Sequence, residues 1–207
     1  MIFLNEEDKR VILSARKCGL MSLSHSVTSL FKNKSENKSY NIGNLDPHLY
    51  FNDRSDTKVF EKTYWHDYDV TLIIREPYER YISGLRTLWH LKWLAHKELP
   101  FKEWFEYCYT RTNSIDLHNG HCSNWLYQTE DISCKSLEIV DTSNLGNWLS
   151  DNGFEPIHTH KSSKKDLYII NEYIEQHILG EVNLYLSNEF EQYNRLTLLS
   201  KGSKITA

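Results

Sequence analysis

Three short apolar runs constrain this chain most: Val11-Ile12-Leu13-Ser14-Ala15, Val70-Thr71-Leu72-Ile73-Ile74 and Leu137-Glu138-Ile139-Val140. Each has the length of a strand, and runs this continuous suit strands buried in a parallel sheet. Each gives way to a turn and then to residues with helical spacing. Strands alternating with helices predict an α/β fold whose parallel sheet is joined by right-handed crossovers. Ligands of such sheets gather at the carboxyl ends of the strands.

The first run passes through Arg16-Lys17-Cys18-Gly19-Leu20-Met21-Ser22 into a helical pattern from Leu23 to Phe31. The second stops at Arg75-Glu76-Pro77. Proline is tolerated in the first turn of a helix, where its missing N–H would have no partner anyway. The helix it opens, Tyr78 to about His96, sets Tyr81, Leu85, Leu88 and Leu91 in an apolar stripe. Phe101 to Tyr109 reads as a further short helix. After the third run, Thr142 or Ser143 is placed to cap a helix from Asn144 to Ser150, which Gly153 ends. Ile157 to Lys165 is a basic loop, and helical stretches at about 166–179 and 182–196 follow. The tail from Ser200 is expected to fray. Lys32 to Tyr40 is polar enough for an exposed connection, and Asn41 to Asp56 supports no assignment.

Composition narrows the function classes. With 40% hydrophobic and 25% charged residues, the 207-residue chain has the usage of an ordinary globular domain rather than a disordered one. Its 24 Lys+Arg against 28 Asp+Glu argue against a surface coated in positive charge for nucleic acid, while leaving room for a local basic pocket. No apolar run approaches the roughly 20 residues of a membrane helix. Met1 to Arg10 is charge-rich and lacks a signal-peptide core. The cysteines Cys18, Cys108, Cys122 and Cys134 are scattered without a CxxC pair, so no disulfide framework is expected. These features predict a soluble cytoplasmic protein without a nucleic-acid or membrane partner.

Two segments at the carboxyl edge of the predicted sheet carry the chemistry. A strand-to-helix loop offers free backbone N–H groups and the positive end of a helix dipole, which attract phosphate or sulfate. In Lys17 to Ser22, Gly19 lets the backbone approach an anion, Lys17 adds charge and Ser22 a hydroxyl. The nucleotide-hydrolase pattern GxxxxGK[ST] is absent, because no glycine stands five residues before Gly19 and the lysine precedes the glycine. In the second segment, Arg75-Glu76-Pro77-Tyr78-Glu79-Arg80-Tyr81-Ile82-Ser83, Arg75 can grip a phosphate bidentately and Ser83 can complete the contact. Taken singly, each segment also reads as ordinary structure: a tight turn with a surface lysine, and an arginine pairing with Glu76 or Glu79.

Together the segments resemble the sulfotransferase superfamily that uses 3′-phosphoadenosine 5′-phosphosulfate (PAPS). Lys17-Cys18-Gly19-Leu20-Met21-Ser22-Leu23 resembles the pattern K-T-G-x-T-S-[LF], and Arg75 to Ser83 resembles R-D-P-x-x-R-x-x-S. Asp116-Leu117-His118 and Gln128 resemble a stretch of the carbohydrate-type members, LEIVD their third motif strand, and His158 to Ser163 the segment that closes over the cofactor. The departures are Met21 where a hydroxyl usually stands, Cys18 for Thr and Glu76 for Asp. The resemblance implies a P-loop-like parallel sheet flanked by helices, forming one sulfotransferase-like domain over residues 1–199 with a flexible tail at 200–207. It implies that Arg16, Lys17, Cys18, Gly19, Leu20, Met21, Ser22 and Leu23 hold the 5′-phosphosulfate, and that Arg75 and Ser83 hold the 3′-phosphate.

The implied reaction is transfer of a sulfuryl group from PAPS to a hydroxyl or amine of a small molecule or carbohydrate, leaving adenosine 3′,5′-bisphosphate. Positioning and electrostatic stabilisation should carry it, with Lys17 countering charge on the bridging oxygen and no metal required. For the general base His48 ranks first, His118 second and His66 third. A zinc site from His118, His121, Cys122, His158 and His160 matches no closed pattern of spacing. Trp89 and Trp93 share a helix face on which an acceptor could stack. A nucleotide or small-molecule kinase of P-loop type, and a diverged nucleotide-binding domain without catalysis, are the alternatives.

Overall fold

The computed structural model describes residues 2–5, 8–14, 18–19, 22–23, 26–27, 65–91, 99–105, 133–156, 164–201 and 205–206. Its elements are β1 (Ile2–Asn5), β2 (Arg10–Ser14), β3 (Asp69–Ile74), α1 (Pro77–Leu91), β4 (Ser136–Asp141), α2 (Leu145–Asp151), α3 (Lys164–His177), α4 (Leu179–Lys201) and β5 (Ile205–Thr206). A 3-10 turn, Thr142–Asn144, links β4 to α2, and residues 101–105 are helical.

The three apolar runs form the parallel centre of the sheet. β3 lies between β2 and β4 and runs parallel to both, with Leu72 beside Leu13 on one side and Ile139 on the other. Consecutive residues of a strand face opposite sides. Val11, Ile12 and Leu13 of β2 and Leu72, Ile73 and Ile74 of β3 are all buried, so both faces are covered. In β4 only Val140 is buried.

Two antiparallel strands extend this centre beyond the sequence expectation. β1 pairs with β2, and β5 pairs with the start of β4. The β1–β2 turn is tight: Lys9 adopts φ 51, a conformation uncommon for a residue with a side chain, and Asn5 Oδ1 accepts a bond from the Asp8 N–H at 3.0 Å. Towards the end of the chain α4 runs to Lys201, and Ile205–Thr206 supplies β5.

Local chemistry explains the helix ends. Pro77 opens α1, and the Glu76 carboxylate caps it by accepting the Glu79 N–H at 2.6 Å. After β4 the cap is Asp141, whose side chain accepts the Ser143 N–H at 2.8 Å; Thr142 and Ser143, the expected caps, sit inside the 3-10 turn. At the other end of α2, the Phe154 N–H bonds to the Leu149 carbonyl at 2.8 Å and the Gly153 N–H to the Ser150 carbonyl at 3.1 Å. This is a Schellman ending, with Gly153 at φ 76 and Phe154 stacked on Trp148 at 5.9 Å.

A helical layer forms a second cluster from α1, residues 101–105, α3 and α4, centred on Tyr81, Leu85, Phe101, Trp104, Ile174 and Leu186. Trp89 packs edge-on against Phe101 and Trp104, each at 5.2 Å. It belongs to this packing rather than to a surface for stacking an acceptor, and Trp93 lies outside the described residues. Arg80 on α1 and Glu189 on α4 form a buried bidentate pair, with Arg80 Nε and Nη2 donating to the carboxylate at 3.1, 2.9 and 2.7 Å. Both side chains are only 2% exposed. Among the described residues no helix is long and apolar enough to cross a membrane.

Candidate functional site

Register brings three strand ends together. Ser14 of β2 lies beside Ile73, and Ile74 of β3 beside Asp141 of β4. The chain leaving these ends encloses a cleft of about 280 Å³. Gly19 and Ser22 line it from the segment after β2, Arg75 and Glu79 from the start of α1, and Thr142 and Ser143 from the 3-10 turn. Two of these three walls come from the segments singled out in the sequence.

Gly19 is demanded twice over. Its φ of 71 lies in the left-handed region, and a Cβ there would run into Cδ2 of Leu145 at the start of α2. The turn is tied back to its strand by the buried Ser14 hydroxyl, which donates to the Cys18 carbonyl at 2.9 Å. The Leu23 N–H bonds to the Gly19 carbonyl at 3.0 Å, in helical spacing. Cys18 and Leu23, expected to contact cofactor, bury their side chains in the sheet core at 2% and 0% exposure. Burial withdraws those side chains from a ligand and leaves only their backbone groups for that role.

Arg75 sits where β3 ends, 27% exposed, with Nε 3.6 Å from a carboxylate oxygen of Glu79, itself 64% exposed. That separation is an ion pair longer than a hydrogen bond. Ser83, expected beside Arg75, is half-buried further along α1 and does not line the cleft. A void of about 10 Å³, room for one water, lies on the other side of Arg75 between Cys18, Tyr193 and the Arg80–Glu189 pair.

The third wall was not foreseen as part of a site. Asp141 organises it, accepting the Ser143 N–H through Oδ1 and the Tyr193 hydroxyl through Oδ2, both at 2.8 Å. Burial first, and the bond to the Asp141 carboxylate second, push the Tyr193 phenol up to about 12. Tyr193 thus anchors the 3-10 turn to α4. The linear signal was slight: Asp141-Thr142-Ser143 follows a strand, but only pairing of β4 beside β3 carries its hydroxyls to the cleft.

Arg16, Lys17, Leu20, Met21 and His48 lie outside the described residues, as do Asp116, His118, Gln128, the possible zinc ligands and His158 to Ser163. His66 is described and is remote: it belongs to the turn before β3, with Nδ1 3.3 Å from the Ser133 hydroxyl. A strand the length of β3 spans roughly 20 Å, so its amino-terminal turn is on the edge of the sheet away from the cleft. Comparison of the chain with protein-family models, with curated proteins and with solved structures finds no match.

Proposed function

We propose that this chain is a PAPS-dependent sulfotransferase on a P-loop-like sheet, acting on a hydroxyl or amine of a small molecule or carbohydrate. The observation that carries the reading is that Gly19, Ser22 and Arg75 line one cleft at the carboxyl edge of adjacent parallel strands. The donor set suits an anion: a guanidinium, a hydroxyl and a glycine turn where no Cβ fits. In this reading Ser22 and the turn around Gly19 hold the 5′-phosphate, and Arg75 holds the 3′-phosphate. Lys17, next to that turn in sequence, counters charge on the bridging oxygen. Bound PAPS supplies the sulfuryl group that the acceptor takes.

The test is thermal unfolding with nucleotides. Adenosine 3′,5′-bisphosphate without magnesium should raise the unfolding temperature, adenosine 5′-monophosphate should raise it less, and ATP should do little. Arg75→Ala should erase the advantage of the bisphosphate, an effect of about tenfold in affinity for one lost charge-assisted contact. Equal shifts with ATP, or a requirement for magnesium, would point to a kinase and end this assignment.

A further inference from the structure

The cleft contains a feature that a simple phosphate grip does not need: a carboxylate facing the cation. Glu79 lines the same cleft as Arg75 and lies 3.6 Å from its Nε. At 64% exposure Glu79 keeps its water and its freedom to swing away, so the pair is loose. Arg80 makes the opposite arrangement, with its partner Glu189 fully enclosed at 2.7 Å and unable to exchange. Glu79 also occupies the first turn of α1, where a negative side chain is favoured by the helix dipole whether or not it touches Arg75. It can therefore release Arg75 at little cost and reclaim it afterwards.

The geometry points to Glu79 as an internal competitor for the anion that Arg75 binds. This inference rests on the proposed function: the ligand is a nucleotide with a terminal phosphate at its 3′ position. When the phosphate arrives, the guanidinium gives up the Glu79 carboxylate near its Nε and turns its fork to the phosphate oxygens. When the spent nucleotide leaves, the carboxylate takes the guanidinium back. Glu79 so lowers affinity for 3′-phosphorylated nucleotides and hastens their departure, which matters wherever product release limits turnover. It is a specificity and release residue acting through Arg75.

A double-mutant cycle read by calorimetric titration tests this. The proteins are wild type, Glu79→Gln, Arg75→Ala and the double variant; the probes are adenosine 3′,5′-bisphosphate and adenosine 5′-monophosphate. Glu79→Gln should tighten the bisphosphate by about two- to fivefold, the scale of an exposed ion pair, and leave the monophosphate unchanged. In the Arg75→Ala background the same substitution should change nothing. Unchanged bisphosphate affinity in Glu79→Gln overturns the inference and leaves the proposed function standing. Equal tightening with and without Arg75 also overturns it, because Glu79 would then act by simple repulsion. If wild type binds the bisphosphate no better than the monophosphate, the proposed function falls and the inference with it.

Discussion

Arg75 and Arg80 leave the same strand-to-helix junction and enter two different regions. Arg75 opens onto the cleft, partly exposed, with the Glu79 carboxylate 3.6 Å from its Nε. Arg80 points into the helical layer, where Glu189 meets it with a bidentate bond and solvent is excluded. A guanidinium in water can change partners cheaply; one in a dry interior cannot, since each unpaired moment leaves a buried charge. One repeated residue type thus borders a cleft in the first region and braces the interior in the second. A motif written R-x-x-x-x-R conceals this division, and burial reveals it.

The sharpest way to break the comparison is to remove the brace. Glu189→Ala should cost about 3–5 kcal/mol in chemical denaturation, because it strands Arg80 in the interior. Glu79→Ala, its counterpart in the cleft, should cost no more than about 1 kcal/mol. Similar losses for the two would mean that the regions do not differ as described. Next in size is Gly19→Ala, which belongs to the cleft but is expected to behave like the interior. The left-handed conformation should cost about 1–2 kcal/mol and the crowding of Leu145 a further 1–3 kcal/mol or so. Adding Leu145→Ala should relieve the crowding penalty and leave the backbone penalty, so the two substitutions should be less than additive.

Tyr193→Phe should also have a small effect, about 1 kcal/mol for the lost bond to Asp141. Its dependence on pH is more telling than its size. The folded protein holds the phenol up at about 12 against an ordinary value of 10.0. The neutral phenol is therefore favoured by folding, and its contribution is complete below pH 10 and is lost as pH rises through 12. The stability gap between wild type and Tyr193→Phe should close across that window. A gap constant from pH 8 to 12 would separate Tyr193 from the network that joins cleft to helices.

β2 and β3 were legible because burial on both faces leaves an unbroken apolar signature, β4 because Leu137, Ile139 and Val140 outweigh Glu138, and α1 because Pro77 marks its first turn. β1 and β5 escaped notice for physical reasons. Ile2-Phe3-Leu4 is too short to stand out beside the charged turn that follows it, and a two-residue pairing such as Ile205–Thr206 owes its existence to β4, not to its own residues. Of the site, Gly19, Ser22 and Arg75 were readable as chemistry suited to anions. Cys18 and Leu23 carried no mark of being core side chains, since a motif specifies residue type and not which way a side chain faces. Thr142 and Ser143 were read as caps because nothing local distinguishes a hydroxyl that ends a helix from one that borders a cleft.

α2 touches β2 at both of its ends. Leu145 presses on Gly19 beyond the carboxyl end of the strand, and the Asn152 side chain accepts a hydrogen bond from Arg10 at the amino end, at 2.9 Å. The helix spans the distance between these two engagements, and its length is not free to vary. One inserted residue would turn everything after it by about 100° and break one of the two engagements. Insertions between Leu145 and Asn152 should therefore be purged.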